Sequence, residues 1–269
     1  MDDKRPLALV TGASSGIGRE LAREFAEHGY DLLINAEDDR LEHAARQLRE
    51  TGADVRAVRA DLRDPAGVDE LIAATTGLTV DVAVLNAGVG QGGAFVDGDP
   101  EDDRSVIDLN VASTVRLAKP LLRRMVERDA GRLVFTSSVA AMMPGSYQAV
   151  YNASKSFVQS FAEALREELK DTGVTVVSFM PGPTATDFFR RAGMADDTRV
   201  GTMEKDDPAE VARQAYEAVA KGREKVVTGS LRTKAQGVAG RVLPDAVKAR
   251  MHRGLAEPGT AERGGNGGG

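Results

Sequence analysis

Tyr151 and Lys155 stand four residues apart, with Ser138 upstream, so a phenol, an amine and a hydroxyl are available to meet one carbonyl group. On a helix, residues four apart share one face, one turn from each other. A tyrosine phenol is a poor base at neutral pH: its ordinary pKa is near ~10, and lowering it to ~7 needs roughly 4 kcal/mol of preferential stabilisation of the anion. An ammonium one turn away is a source of that stabilisation. Of the four tyrosines, Tyr30, Tyr147 and Tyr216 are followed at the fourth residue by Ile34, Tyr151 and Ala220. Only Tyr151 has the lysine. An isolated pair of this kind is also what an ordinary helix surface carries, so its meaning depends on the elements around it.

Those elements alternate. Short apolar runs at Leu7 to Val10, Asp31 to Ile34, Val55 to Val58, Val80 to Leu85, Arg132 to Phe135 and Val174 to Phe179 read as buried parallel strands. Between them, Gly18 to Glu27, Leu41 to Glu50, Ala66 to Ala74, Asp103 to Val126 and Ser154 to Leu169 have helical periodicity. A helix after Pro208 leads to a seventh strand at Lys225 to Thr228. The pattern predicts an α/β fold, a doubly wound parallel sheet with helices on both faces. One domain is expected over residues 1–257, followed by a disordered Gly-rich tail at 258–269. Thr184 to Asp207 is long for a connection; its Phe188, Phe189 and Met194 suit a lid over an apolar substrate, or a cap on the core.

Composition narrows the chemistry. The 269 residues include no cysteine, which removes disulfides, thiolate metal sites and cysteine nucleophiles, and fits a cytoplasmic protein. The first residues lack the apolar core of a signal peptide, and no apolar run reaches the roughly 20 residues of a membrane span. A net charge of −6 argues against general nucleic-acid binding. The charge is uneven: from Lys221 onward ten Lys or Arg face four Asp or Glu, giving +6 there and −12 before it. That basic segment reads as a solvated face or as a contact for an anion or an acidic neighbour.

Thr11 to Gly18 reads ThrGlyAlaSerSerGlyIleGly, directly after the first strand and opening the first helix. Glycines there allow a tight turn and close approach of backbone N–H groups to a phosphate at a helix N-terminus. Gly12, Ser14 and Gly16 also spell GxSxG, the nucleophile elbow of a hydrolase. That chemistry needs a histidine downstream and an oxyanion loop from an earlier strand. His28 and His43 fall on surface helices, His252 in the basic segment, and only one short run precedes the elbow. Three scattered histidines without cysteine also argue against a catalytic metal.

In order along residues 5 to 230 stand the glycine loop, Asp61 with Leu62, AsnAlaGly at 86–88, Asn110, Ser138, Tyr151 with Lys155, and ProGlyProThrAlaThr at 181–186. This ordered set resembles the short-chain dehydrogenase/reductase family. The resemblance implies a Rossmann-type domain that binds NAD or NADP and an oxidoreductase interconverting an alcohol with a ketone or aldehyde. It implies Tyr151 as acid/base, Lys155 lowering its pKa and holding the nicotinamide ribose, Ser138 orienting the carbonyl oxygen, and Asn110 holding a relay water. For Ser138 a local turn bond, and for Asn110 a structural helix bond, are the alternatives. Ser137 is adjacent, but the family's thirteen-residue spacing to the tyrosine selects Ser138.

For the cofactor, the resemblance implies contacts from Gly12, Ser14, Ser15, Gly16, Ile17 and Gly18, from Asp61 and Leu62 near adenine, and from Asn86, Ala87 and Gly88 along its length. Pro181, Gly182, Thr184 and Thr186 follow the sixth strand, where the two threonines would meet carboxamide and pyrophosphate. Asn35, Glu37 and Arg40 mark the region that tells NAD from NADP. Glu37, Asp38 and Asp39 oppose a 2′-phosphate and favour NAD, while Arg40 could fold over the phosphate. Tyr147, Met142, Met143, Phe188 and Phe189 are pocket walls or core. The family's dimers and tetramers imply a homo-oligomer joined through the long helices. A nucleotide-binding regulator on the same fold is the other reading, since fold does not fix function.

Overall fold

The computed structural model describes residues 5–235 and 243–261. Strands β1 (Leu7–Thr11), β2 (Asp31–Ala36), β3 (Val55–Arg59), β4 (Val82–Leu85), β5 (Gly131–Thr136), β6 (Val174–Pro181) and β7 (Lys225–Thr228) form one parallel sheet in the order β3-β2-β1-β4-β5-β6-β7. The chain winds outward from β1 in one direction, then returns past it to β4 and winds the other way. The strand order therefore reverses between β1 and β4, and their carboxyl ends diverge around a crevice of the kind in which open α/β sheets hold ligands.

Alternate residues of each strand feed two separate cores. On one face Val10, Ile34 and Val177 pack with Leu21 and Phe25 of α1 (Gly16–Glu27), Leu41 and Leu48 of α2 (Arg40–Arg49) and Ala215 of a helix running Pro208–Ala220. On the other, Leu9, Leu33, Leu85 and Phe135 pack with Leu71 of α3 (Pro65–Ala74), and with Leu117 and Val158 from helices farther along. The next helices are α4 (Pro100–Ile107), α5 (Ser113–Glu127), α6 (Ala149–Glu168), α7 (Phe188–Arg191), α8 (Arg199–Thr202), α9 (Pro208–Ala220) and α10 (Asp245–Ala256).

Three helices start on the same local chemistry. Asp64, Asp99 and Asp207 each precede a proline and accept a hydrogen bond from the backbone N–H two residues on, capping α3, α4 and α9. The aspartate satisfies an orphan donor and the proline presets the first helical φ. The helix expected over Asp103 to Val126 begins earlier, at Pro100, and contains a π turn at Asp108–Ala112 between α4 and α5. Helix α6 also begins before its expected start, so Tyr151 lies inside it.

Of the tail expected from Pro258, residues 258–261 are described. Gly259 N–H donates to Asp197 Oδ1 at 2.8 Å, and Arg199 N–H donates to Thr260 Oγ1 at 3.0 Å, which ties this stretch to Asp197 and the start of α8. Residues 262–269 lie outside the described residues. Among the described residues no helix is long and apolar enough to cross a membrane.

Candidate active site

The crevice at the carboxyl edge is built first by backbone turns. Gly12 and Gly16 take positive φ (68° and 57°), the region glycine enters without steric cost. Gly18 is required for contact: a Cβ there would lie 2.2 Å from the Gly12 carbonyl oxygen. Thr11 Oγ1 accepts from Asn86 N–H at 2.9 Å and Ala87 N–H at 3.0 Å, while Asn86 Nδ2 donates to Thr11 O at 3.0 Å. Thr136 Oγ1 donates to Asn86 Oδ1 at 3.1 Å, so one asparagine ties together the ends of β1, β4 and β5. Ser15 caps α1 without a side-chain bond, and the first turn carries no acid, which leaves N–H donors and positive dipole potential facing the crevice. Those donors fit a phosphate group.

Ser138, Tyr151 and Lys155 converge on the same crevice. Tyr151 is 8 % exposed and Lys155 6 %. Burial pushes the Tyr151 phenol up to about 12, with the Ser138 hydroxyl acting in the opposite direction. Burial lowers Lys155 to about 8. Lys155 Nζ donates to Thr136 O at 3.0 Å and lies 6.0 Å from the centre of the Tyr151 ring. In the protein chain alone, desolvation of the phenolate outweighs the expected lowering by Lys155, whose ammonium is directed to a carbonyl. Ser138 Oγ accepts from Ala140 N–H at 3.1 Å and donates to Pro181 O at 3.4 Å, which fixes the hydroxyl between β6 and the start of the following turn.

Asn110 lies in the π turn, outside the crevice lining. Its Oδ1 accepts from Val89 N–H at 3.0 Å, and its Nδ2 donates to Val89 O and to Ser154 Oγ, each at 2.9 Å. The side chain clamps the loop after β4 to helix α6. That loop is closely packed, since a Cβ on Gly88 would lie 3.2 Å from Lys155 Nζ.

Charged residues crowd the rim at the end of β2. Arg40 donates to Asp38 (2.9 Å from Nη2) and to Asp187 (2.8 Å from Nη1), and Arg191 reaches Asp38 at 3.4 Å. The hydrogen bonds from Arg40 hold the Asp38 carboxyl below the usual carboxylate range, and Ser14 adds to them against the cost of burial. Glu37 pairs with Arg63, which also holds Asp61 at 2.9 Å. Asn35 points its Nδ2 at Val58 O and Ala60 O, joining β2 to the end of β3. Glu37, Asp61 and Leu62 line the crevice; Arg40 does not. The remaining expected cofactor contacts, Gly12, Ser14 through Gly18, Asn86 through Gly88, Pro181, Gly182, Thr184 and Thr186, all line it.

The sequence matches the family model for short chain dehydrogenases over residues 6–197. The chain belongs to the short-chain dehydrogenase family. It is 32 % identical over 238 residues to "Dehydrogenase/reductase SDR family member 7B" of Rattus norvegicus, covering 83 % of this chain and 73 % of that protein. Its fold superposes on a short-chain dehydrogenase from Sphingobium yanoikuyae in complex with NADPH, with TM-score 0.78 and 31 % identity over 91 % of this chain and 95 % of the other. A short-chain dehydrogenase/reductase from Burkholderia phymatum in complex with NAD gives TM-score 0.76 at 27 % identity, over 84 % and 90 % of the two chains.

Beyond the family motifs, this short-chain dehydrogenase closes its crevice with a small third core. Phe189, Met194 and Val200 from the segment after β6 pack with Ala256 of α10, and Phe188 sets its ring 5.1 Å from that of Tyr151. Met143, Phe188 and Phe189 line the crevice as expected pocket walls, whereas Tyr147 turns away and donates from its hydroxyl to Glu257 at 2.8 Å. Met142 lines a separate shallow depression. Asp38 lines the crevice as well, and so do Arg191, Gln148, Lys248, Met251, His252 and Leu255, none of which was expected there from the sequence. The signal for the last four was available: Lys248, Met251, His252 and Leu255 follow the spacing of one helix face.

Proposed function

We propose that the protein transfers a hydride between a nicotinamide cofactor and a carbonyl or secondary alcohol, with Tyr151 as the acid/base. The observation carrying this reading is the buried Tyr151 phenol beside the Ser138 hydroxyl, one helical turn from Lys155, in the crevice that the glycine loop also lines. The cofactor, when bound, supplies or accepts the hydride. In reduction, negative charge grows on the carbonyl oxygen; Ser138 and Tyr151 stabilise it where it develops, and Tyr151 gives up its proton there. With its pKa near 12 the phenol is protonated at rest, and Lys155 near 8 is charged at neutral pH, so the resting chain is set for reduction. Asn110 acts in this reading as a positioning residue, holding Val89 and Ser154 together beneath the site.

The glycine loop and the start of α1 would hold the pyrophosphate, with Asp61 and Leu62 near adenine and Thr184 and Thr186 over the nicotinamide half. NAD is preferred over NADP: Asp38 is ionised and faces the crevice, and Arg40 is engaged by two carboxylates. A homo-oligomer forms through the outer faces of α5 and α6, where Phe157 is 40 % exposed and stacked on Phe161. The chemistry is tested by assaying a panel of ketones and alcohols with NADH, NADPH and their oxidised forms, in the wild type and Tyr151→Phe. Ketone reduction that is faster with NADH and abolished by the substitution supports the reading; turnover indifferent to Tyr151 removes the mechanism.

A further inference from the structure

The far wall of the crevice comes from α10, a helix with no part in the chemistry proposed above. It is fixed to the segment before α6 by several hydrogen bonds. Ser146 Oγ donates to Ala249 O at 3.1 Å, Lys248 Nζ donates to Met142 O at 3.1 Å, and the Tyr147 hydroxyl bonds Glu257 just past the helix end. Tyr147 itself holds a positive φ of 64°, a conformation costly for a residue with a large side chain and kept only where its surroundings fix it. The helix is thus a rigid wall. Its face toward the crevice presents Met251 and Leu255, which with Met143, Phe189 and Val200 make an apolar chamber.

Besides Lys248, already bonded to Met142 O, His252 is the polar residue that α10 adds to that wall. It is 7 % exposed and lines the crevice. Its Nδ1 lies 2.9 Å from Ser146 O, and because a carbonyl only accepts, Nδ1 carries the proton. Burial lowers the pKa of the imidazole, more than the Ser146 carbonyl raises it, so the ring is neutral at pH 7 and Nε2 bears a lone pair. Nε2 has no hydrogen-bond partner among the described residues, is not a sealed atom, and belongs to a side chain that lines the chamber. Gln148, also 7 % exposed and lining the crevice, has a side-chain amide with no partner among the described residues. Both groups set hydrogen-bonding atoms in a largely apolar wall, and a ligand that fills the chamber must either bond them or leave them stranded at a cost.

We propose that the substrate is an apolar ketone or alcohol carrying a second polar group remote from the reacting carbon, and that His252 Nε2 accepts a hydrogen bond from a hydroxyl or N–H of that group. His252 is then a specificity-determining residue, and Gln148 a second polar contact on the same substrate. This inference deepens the proposed function and rests on the same crevice.

Asparagine places its amide N–H where Nδ1 stands and lacks the Nε2 acceptor; glutamine reaches to the Nε2 position with an amide oxygen. His252→Asn and His252→Gln therefore separate anchoring to Ser146 from recognition. The probes are acetophenone, benzylacetone and a biphenyl methyl ketone, each paired with its para-hydroxy derivative so that the hydroxyl stands successively farther from the carbonyl. Binding is measured by calorimetry on the full chain with saturating oxidised cofactor, where a ketone finds no hydride, and melting temperatures check that each variant is folded. The wild type should prefer the hydroxylated member of at least one pair by about tenfold, the scale of one hydrogen bond to a group otherwise left unpaired. His252→Asn should reduce that preference to about onefold, and His252→Gln should keep part of it. No preference in any pair, or a preference equally strong in His252→Asn, overturns the proposal. A preference without ketone turnover by the wild type leaves this inference standing and removes the proposed reaction.

Discussion

A buried ammonium held by one carbonyl is costly, and Lys155 is kept in that state. Its pKa falls from 10.5 to about 8 through burial, a shift equivalent to about 3 kcal/mol. The sign follows from proton binding. Between pH 8 and 10.5 the unfolded chain binds the proton and the folded chain does not, so the penalty is complete below pH 8 and gone above 10.5. Lys155→Met should therefore stabilise the protein at pH 7 by about 1–3 kcal/mol, with the gain shrinking across that window while reductase activity falls; chemical denaturation at pH 7 and pH 10 reads both the size and the trend. Tyr151, Lys155 and Ser138 were legible in the sequence because two share a helical turn and the third lies at a family spacing. Asn110 was not. Its partners Val89 and Ser154 are 21 and 44 residues away, so whether its amide faces a water or a backbone is decided by tertiary packing.

At the level of elements, the turn from β1 into α1 is sensitive to a single methyl group. A Cβ on Gly18 meets the backbone oxygen of Gly12 at 2.2 Å, and a backbone atom in a turn fixed by Thr11 and Asn86 cannot swing aside as a side chain can. Gly18→Ala should cost about 1–3 kcal/mol of stability, visible as a lowered melting temperature, and should weaken NADH binding measured by calorimetry. A melt and an affinity unchanged from wild type would show that the turn relaxes freely. Strands and most helices were legible from apolar runs and periodicity, with ends off by a few residues. The π turn at Asp108–Ala112 has no local signature, since Asn110 must bond Val89 before the helix has reason to widen. Helix α10 was read only as a basic segment: its charges obscured the Lys248, Met251, His252 and Leu255 face that packs inward.

For the whole molecule, one sheet brings the glycine loop, the Tyr151 group and the lid to a single carboxyl edge, and the reversal between β1 and β4 opens the crevice there. Among the outer helices, α5 and α6 each carry an exposed apolar side chain, Val126 and Phe157. Light scattering should return a mass two or four times the 28.5 kDa of one chain, and Phe157→Glu should shift it toward the monomer. A monomeric wild type would contradict the assembly proposed through α5 and α6. The central claim concerns one proton, and the most direct measurement is kcat/KM for ketone reduction with NADH in wild type and Tyr151→Phe, with NADH affinity measured alongside. Removing the proton donor should lower kcat/KM by at least about 10²-fold with cofactor affinity held within a few-fold. Activity retained within a few-fold in Tyr151→Phe would contradict the account.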